Sequence, residues 1–254
     1  MFKLFGGGRF LEADIEDWVL ETWAWLLTEF GGMERLRRSP LVLPTREFFP
    51  LTETEGHARA LYLFDRVKLM TGLRDWPCEL ETFDRPRGAQ VAQVGAIRHG
   101  GSANGTFRTT DNRAIISYAS DLVGQPVKLI ATFAHELSHY LLLVKARTDP
   151  PGGKDLEELA PELAVAFQGF GVFSANTAFE FGQHGDAFSQ GWAASRSGYL
   201  SERSWAFALA LFCTLKAVDL PVTHLKPSLI DPVRKASHYL KRNPALLEPL
   251  RAIA

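Results

Sequence analysis

The chain has 254 residues, 46% of them hydrophobic and 22% charged, enough to bury a sizeable core as one large domain or two small ones. Its net charge of −1 offers no clustered basic face for nucleic acid, and its two cysteines, Cys78 and Cys213, make neither a disulfide framework nor a paired-cysteine metal spacing. No segment reaches the roughly 18 uninterrupted apolar residues of a membrane span, and residues 1–8 lack the apolar core of a secretion signal, so a soluble, cytoplasmic protein with reduced thiols and no nucleic-acid or membrane partner is expected.

In chain order, Glu12 to Phe30 reads as an amphipathic helix with Ile15, Trp18, Val19, Leu26 and Phe30 near one face, a stripe that core packing explains. Arg35, Arg37 and Arg38 form the only short basic run, read as a solvated helix end. Pro40 to Pro50 is a proline-punctuated extended segment, and Gly56 to Met70 is a second helix carrying Leu61, Phe64, Val67 and Leu69. Residues 75–90 read as a polar connection. Val91 to Ile97 and Ala114 to Tyr118 read as strands, with a flexible loop at residues 100–105 and a further strand at residues 106–109. Asn104, Gly105, Thr106 and Phe107 either line a cleft as an edge strand that an extended peptide joins, or form an ordinary hairpin.

A long helix follows from Pro126, which suits a first helical position, through Val127, Ile130, Phe133, Ala134, Leu137, Leu141 and Val144 at three- and four-residue steps. It ends in Lys145 and Arg147 before Pro150-Pro151-Gly152-Gly153. Well inside it lies His135-Glu136-Leu137-Ser138-His139, the pattern H-E-x-x-H. Residues i and i+4 of a helix share a face, so both imidazoles reach one metal ion. Neutral imidazole is a preferred zinc ligand, and a carboxylate beside the first ligand can take a proton from metal-bound water. The pattern alone arises by chance in on the order of one chain in a hundred, so its surroundings matter.

A catalytic zinc needs a third protein ligand and an open fourth position. After the Pro-Gly break, Asp155 opens a predicted helix running to about Asn176. Glu158 lies 19 residues beyond His139 (158 − 139), room for a turn and an antiparallel return; Glu157 is its competitor. Glu162 follows at i+4, placed to support a ligand histidine, and on one continuous helix Asn176 would align with Glu158 as a further supporting residue. Gly169 and Gly171 inside such a helix each cost roughly 1 kcal/mol relative to alanine, a cost that close approach to the preceding helix would explain. The remainder reads as a Gly/Ser/His/Gln-rich loop through Ser197, a helix from Ser201 to about Val218, and a helical tail from Pro227 onward.

His135-Glu136-x-x-His139 with Glu158 and an acidic residue four later resembles the gluzincin metallopeptidases, of which thermolysin is an example. The motif-level resemblance covers about residues 125–176, and Glu162 stands where thermolysin-like enzymes carry aspartate. More loosely, residues 41–45, 105–107 and 198–202 are similar to segments of bacterial proteins carrying this zinc motif, a likeness that supplies no substrate. The resemblance implies one Zn²⁺ per chain held by His135, His139 and Glu158, with Glu136 as base and an oxyanion donor after the ligand helix. His184, Arg196 and Tyr199 are the candidates for that donor, and no pattern selects among them.

The expected fold is therefore α+β: a zincin-like catalytic core made of the H-E-x-x-H helix, the following glutamate-bearing helix and a small antiparallel sheet, with helical additions at both ends. The expected regions are a mainly helical 1–90, a metal-binding catalytic 91–225 and a helical tail 226–254 packed on the core. The expected function is a zinc metallopeptidase acting on a peptide or protein. The alternatives are a metal-stabilised binding or regulatory module without peptidase activity and a metal-free helical interaction protein.

Overall fold

Pro126 and the apolar run behind it set the helix that dominates half of this molecule. In the computed structural model, which describes residues 8–85, 98–101, 104–110, 113–156, 158–182 and 200–254, that helix spans Pro126–Lys145. From Leu129 through Leu141 every residue is buried, so the helix is enclosed on all sides rather than half-exposed as its amphipathic pattern predicts. Among the described helices it alone is long and apolar enough to cross a membrane by length and composition, with 67% of the relevant window buried inside the protein. His135, Glu136 and His139 interrupt its apolar run.

The chain divides into two compact units, Pro44–Val144 and the combination of Met1–Leu43 with Lys145–Ala254. Elements are numbered along the chain: α1 Ala13–Glu29, α2 Gly32–Arg38, α3 Gly56–Thr71, β1 Glu79–Phe83, β2 Arg98–Gly101, β3 Gly105–Thr110, β4 Arg113–Ala119, α4 Pro126–Lys145, α5 Leu159–Phe167, α6 Gly171–Gly182, α7 Glu202–Lys216, α8 Pro227–Arg242 and the short α9 Glu248–Arg251. The class is α+β, mostly helical with one small sheet.

The unit Pro44–Val144 holds the sheet, whose order is β1-β4-β3-β2. β3 is antiparallel to both β2 and β4, but β1 runs parallel to β4 with Glu79 opposite Ile115, so the sheet is mixed where an antiparallel one is expected. β4 reads Arg-Ala-Ile-Ile-Ser-Tyr-Ala and is buried everywhere beyond Arg113, as an interior strand covered on both faces must be. β1 falls where a connection is expected. Its charges explain the miss, because Glu81 pairs with Arg108 at 2.5 Å and Glu79 with Arg113 at 3.2 Å, blunting an exposed edge. Aromatic side chains join sheet to helices: Phe133 of α4 meets Phe64 of α3 and Tyr118 of β4 edge-on at 5.2 and 5.6 Å, and Tyr140 stacks on Phe107 at 5.4 Å.

The other unit is all helical among its described residues. Trp23 of α1 lies wholly buried with its ring 5.9 Å from Phe167, and α7 packs against both α6 and α8. The helix expected to run unbroken to Asn176 is broken. A 3-10 turn at Gly153–Leu156 precedes α5, and the backbone turns left-handed at Gly169 before α6. Gly169 has φ +90°, a left-handed conformation that side-chain-bearing residues adopt at a cost, and a Cβ there would lie 1.9 Å from the carbonyl oxygen of Pro40. Its own carbonyl accepts from the Val42 amide at 3.0 Å. The glycine therefore serves close approach to the segment after α2, not to the H-E-x-x-H helix.

Candidate metal centre

α4 places the motif by its 3.6-residue period. His135 and His139 are 8% and 6% exposed, one turn apart, and their Nε2 atoms approach to 3.1 Å. The rings stand nearly perpendicular with centroids 4.8 Å apart. Two nitrogens bound to one zinc at ~2.0–2.1 Å with a tetrahedral angle lie about 3.3–3.4 Å from each other. The pair is therefore already close to the separation a shared ion requires. Ser138 donates its hydroxyl to the Ala134 carbonyl at 2.7 Å.

Glu158 is half-buried and occupies the residue before α5, with helical backbone angles. His135 and His139 offer ring nitrogens and Glu158 a carboxylate oxygen, three donors that a single metal ion could take. Two imidazole nitrogens and one carboxylate oxygen suit zinc, a borderline-soft ion that takes both donor types. Glu162 is buried in the first turn of α5, four residues beyond Glu158.

Glu136 is wholly buried, and β3 lies directly against it. A Cβ built on Gly105 would stand 2.5 Å from Thr132 Cγ2, 3.0 Å from Glu136 Oε1 and 3.1 Å from the Ser117 carbonyl oxygen. Thr132 sits one turn before Glu136, its hydroxyl bonded to the Lys128 carbonyl at 3.0 Å. Sequence reasoning passed over Thr132, which carries no signal beyond helix spacing.

Of the two readings for residues 104–107, the sheet has the hairpin: β3 lies between β4 and an antiparallel β2, with Thr106 opposite Gly101 and Phe107 opposite Gly100, so these two offer no free edge for an extended peptide. Phe107 is fully buried under Tyr140, and Thr106 faces Ser117 across the β3–β4 ladder. Asn104 is buried; its carbonyl accepts from the Ala119 amide at 2.9 Å and its Oδ1 accepts from Arg85 at 2.5 Å. Gly105 is placed beside Glu136 of the motif.

Asn176 is placed elsewhere too, because the break at Gly169 removes the continuous helix on which its alignment with Glu158 depended. Its amide donates to the His224 carbonyl and accepts from the Lys226 amide, both at 2.8 Å, holding the chain where it enters α8. Glu157, His184, Arg196 and Tyr199, and the expected strand at residues 91–97, lie outside the described residues. Burial pushes the thiols of Cys78 and Cys213 up to about 11 and about 12, so neither is a ready thiolate at neutral pH. No family model matches this chain, and neither the curated proteins nor the solved structures contain a match to it.

Proposed function

We propose that this protein is a zinc-dependent hydrolase of the gluzincin type, cleaving peptide bonds, with one zinc held by His135, His139 and Glu158. The observation that carries the reading is the approach of two buried imidazole nitrogens to 3.1 Å on one helix, with Glu136 buried between the histidines. A zinc bound there supplies Lewis acidity, lowering the pKa of a water to near 7 and polarising a carbonyl. The two histidines offer neutral nitrogens one helical turn apart, and the charge of Glu158 partly offsets that of the ion. Glu136 takes the proton of the attacking water and returns it to the leaving nitrogen, the use for a carboxylate that a purely structural site lacks. Enclosure of α4 keeps competing water away and strengthens the electrostatic interactions of these groups. Glu162, four residues beyond Glu158, orients a ligand histidine from behind.

The test is metal content and turnover together, on protein purified without added metal and a fluorescence-quenched peptide library. Wild type and Glu136→Gln should each carry about one zinc per chain by elemental analysis, and Glu136→Gln should lose ~10²-fold or more of the hydrolysis. His139→Ala should carry none. Hydrolysis surviving in Glu136→Gln overturns the base assignment, and stoichiometric zinc in His139→Ala moves the site elsewhere. Zinc without hydrolysis in wild type favours the metal-stabilised binding module.

A further inference from the structure

We propose that Gly105 is a positioning residue for the general base: the missing side chain of this one strand residue leaves the space that the Glu136 carboxylate occupies. The inference rests on the hydrolase reading above and names a part of that same site. Three neighbours would meet a Cβ at Gly105, and they differ in how easily they yield. The Ser117 carbonyl, at 3.1 Å, is backbone locked in the β3–β4 ladder, where Thr106 faces Ser117. Thr132 Cγ2, at 2.5 Å, belongs to a buried β-branched side chain whose hydroxyl is bonded to the Lys128 carbonyl, so turning the methyl away breaks that bond. Glu136 Oε1, at 3.0 Å, is the far end of a flexible side chain and yields more readily than backbone or a β-branched methyl. An added methyl group therefore presses on two fixed neighbours and displaces the third, the carboxylate that must reach the attacking water.

A second consequence concerns the sheet. Gly105 is the first residue of β3 and faces Tyr118 of β4, itself wedged edge-on against Phe133 of α4. The strand is thus held on the helix by Tyr118 and Phe133 while Gly105 lets its backbone come close beside the motif. The glycine sets how far the carboxylate stands from the strand, whereas the histidines lie one residue before and three residues after Glu136 on the helix. Its effect should fall on proton transfer and leave metal binding alone. A displacement of a few tenths of an ångström at a catalytic group costs about tenfold or less, given roughly 10²-fold for a full ångström.

The experiment compares wild type, Thr132→Ser, Gly105→Ala and the double variant Gly105→Ala/Thr132→Ser. Zinc content, melting temperature, and kcat and KM on the best-cleaved member of a fluorescence-quenched peptide library are measured for each. Thr132→Ser removes the methyl group nearest the new Cβ and keeps the hydroxyl bonded to Lys128, so the double variant should fold even where Gly105→Ala does not. The expected double variant binds one zinc, melts near wild type, keeps KM within about twofold and loses about tenfold in kcat. Wild-type kcat in a zinc-loaded double variant overturns the proposal, as does a double variant that has lost zinc, which would make Gly105 a structural or ligand-positioning residue. Wild type that binds no zinc or hydrolyses nothing fails the hydrolase reading itself, before any variant is compared, and the inference falls with it.

Discussion

Glu158 and Glu162 share a helix start but have different work in the proposed site, and the difference is measurable. A ligand supplies a bond to the ion, whereas a residue behind a ligand only orients it, worth about 10- to 100-fold in metal affinity. Glu162→Ala should therefore weaken zinc binding by about 10- to 100-fold, and Glu158→Ala by more than that, in a competition titration with a chromophoric chelator. Equal losses would give the two carboxylates the same role. Glu157→Ala should leave the affinity near wild type, and a larger loss there than at Glu158 transfers the ligand role to Glu157. Both imidazoles and Glu136 are read directly from five consecutive residues because helical spacing alone brings them to neighbouring faces. Gly105 is different, since its place beside Glu136 follows from β3 lying on α4 and from nothing in the local sequence.

The α5–α6 break shows how one residue redirects an element. Residues 155–176 carry a pattern that fits one long helix, and Gly169 and Gly171 fit a close helix contact. At Gly169 the backbone instead turns left-handed against Pro40, and α5 ends at Phe167. Gly169→Ala combines φ strain of about 1–3 kcal/mol with a direct clash on the Pro40 carbonyl. It should lower the melting temperature by about 4 °C or more, at roughly 2–4 °C per kcal/mol for a chain of this size. An unchanged melting temperature would mean that the left-handed turn is absent. The break also frees Asn176 from any alignment with Glu158 and lets its amide brace the start of α8. β1 teaches the same lesson for strands: Glu-Leu-Glu-Thr-Phe has too few apolar residues to announce itself, and parallel pairing with the buried β4 creates it.

Across the whole chain, remote segments are joined by buried polar knots as well as by aromatic packing. In the unit Met1–Leu43 with Lys145–Ala254, the wholly buried Glu16 accepts from the Phe10 and Leu11 amides at 3.0 and 3.2 Å and from the Tyr239 hydroxyl at 2.7 Å. The Arg203 guanidinium donates to the Phe10 carbonyl and lies 4.4 Å from the Phe10 ring. Burial, followed by the bond to Glu16, pushes the Tyr239 phenol above its ordinary range. A raised folded value favours the neutral phenol in the fold. The stability it contributes is fully present below about pH 10, the unfolded value, and is lost as pH rises through the folded one. Unfolding free energy should fall above pH 10 in wild type, and less steeply in Tyr239→Phe, with Tyr118, Tyr140 and the thiols of Cys78 and Cys213, also raised by burial, contributing to the remaining slope. Identical slopes would remove Tyr239 from the linkage.

The sequence by itself determined the elements whose residues carry their own instructions. The α1, α3, α4 and α7 helices appear within a residue or two of their periodic patterns, α8 starts at Pro227 where the tail is expected to begin, Ser201 caps α7 by accepting from the Ser204 amide, and β4 lies where its apolar run is. The spacing of His135, Glu136 and His139 belongs to the same class, because the helix period is local physics. Tertiary structure decided what depends on partners far along the chain. It made the sheet mixed by adding β1, put β3 inside it and buried Phe107, so that the expected edge does not exist. It turned the chain at Gly169 because the Pro40 carbonyl stands where a side chain would be. It also set Gly105 against Glu136, since only packing between a strand and a helix decides which backbone atom meets a buried carboxylate.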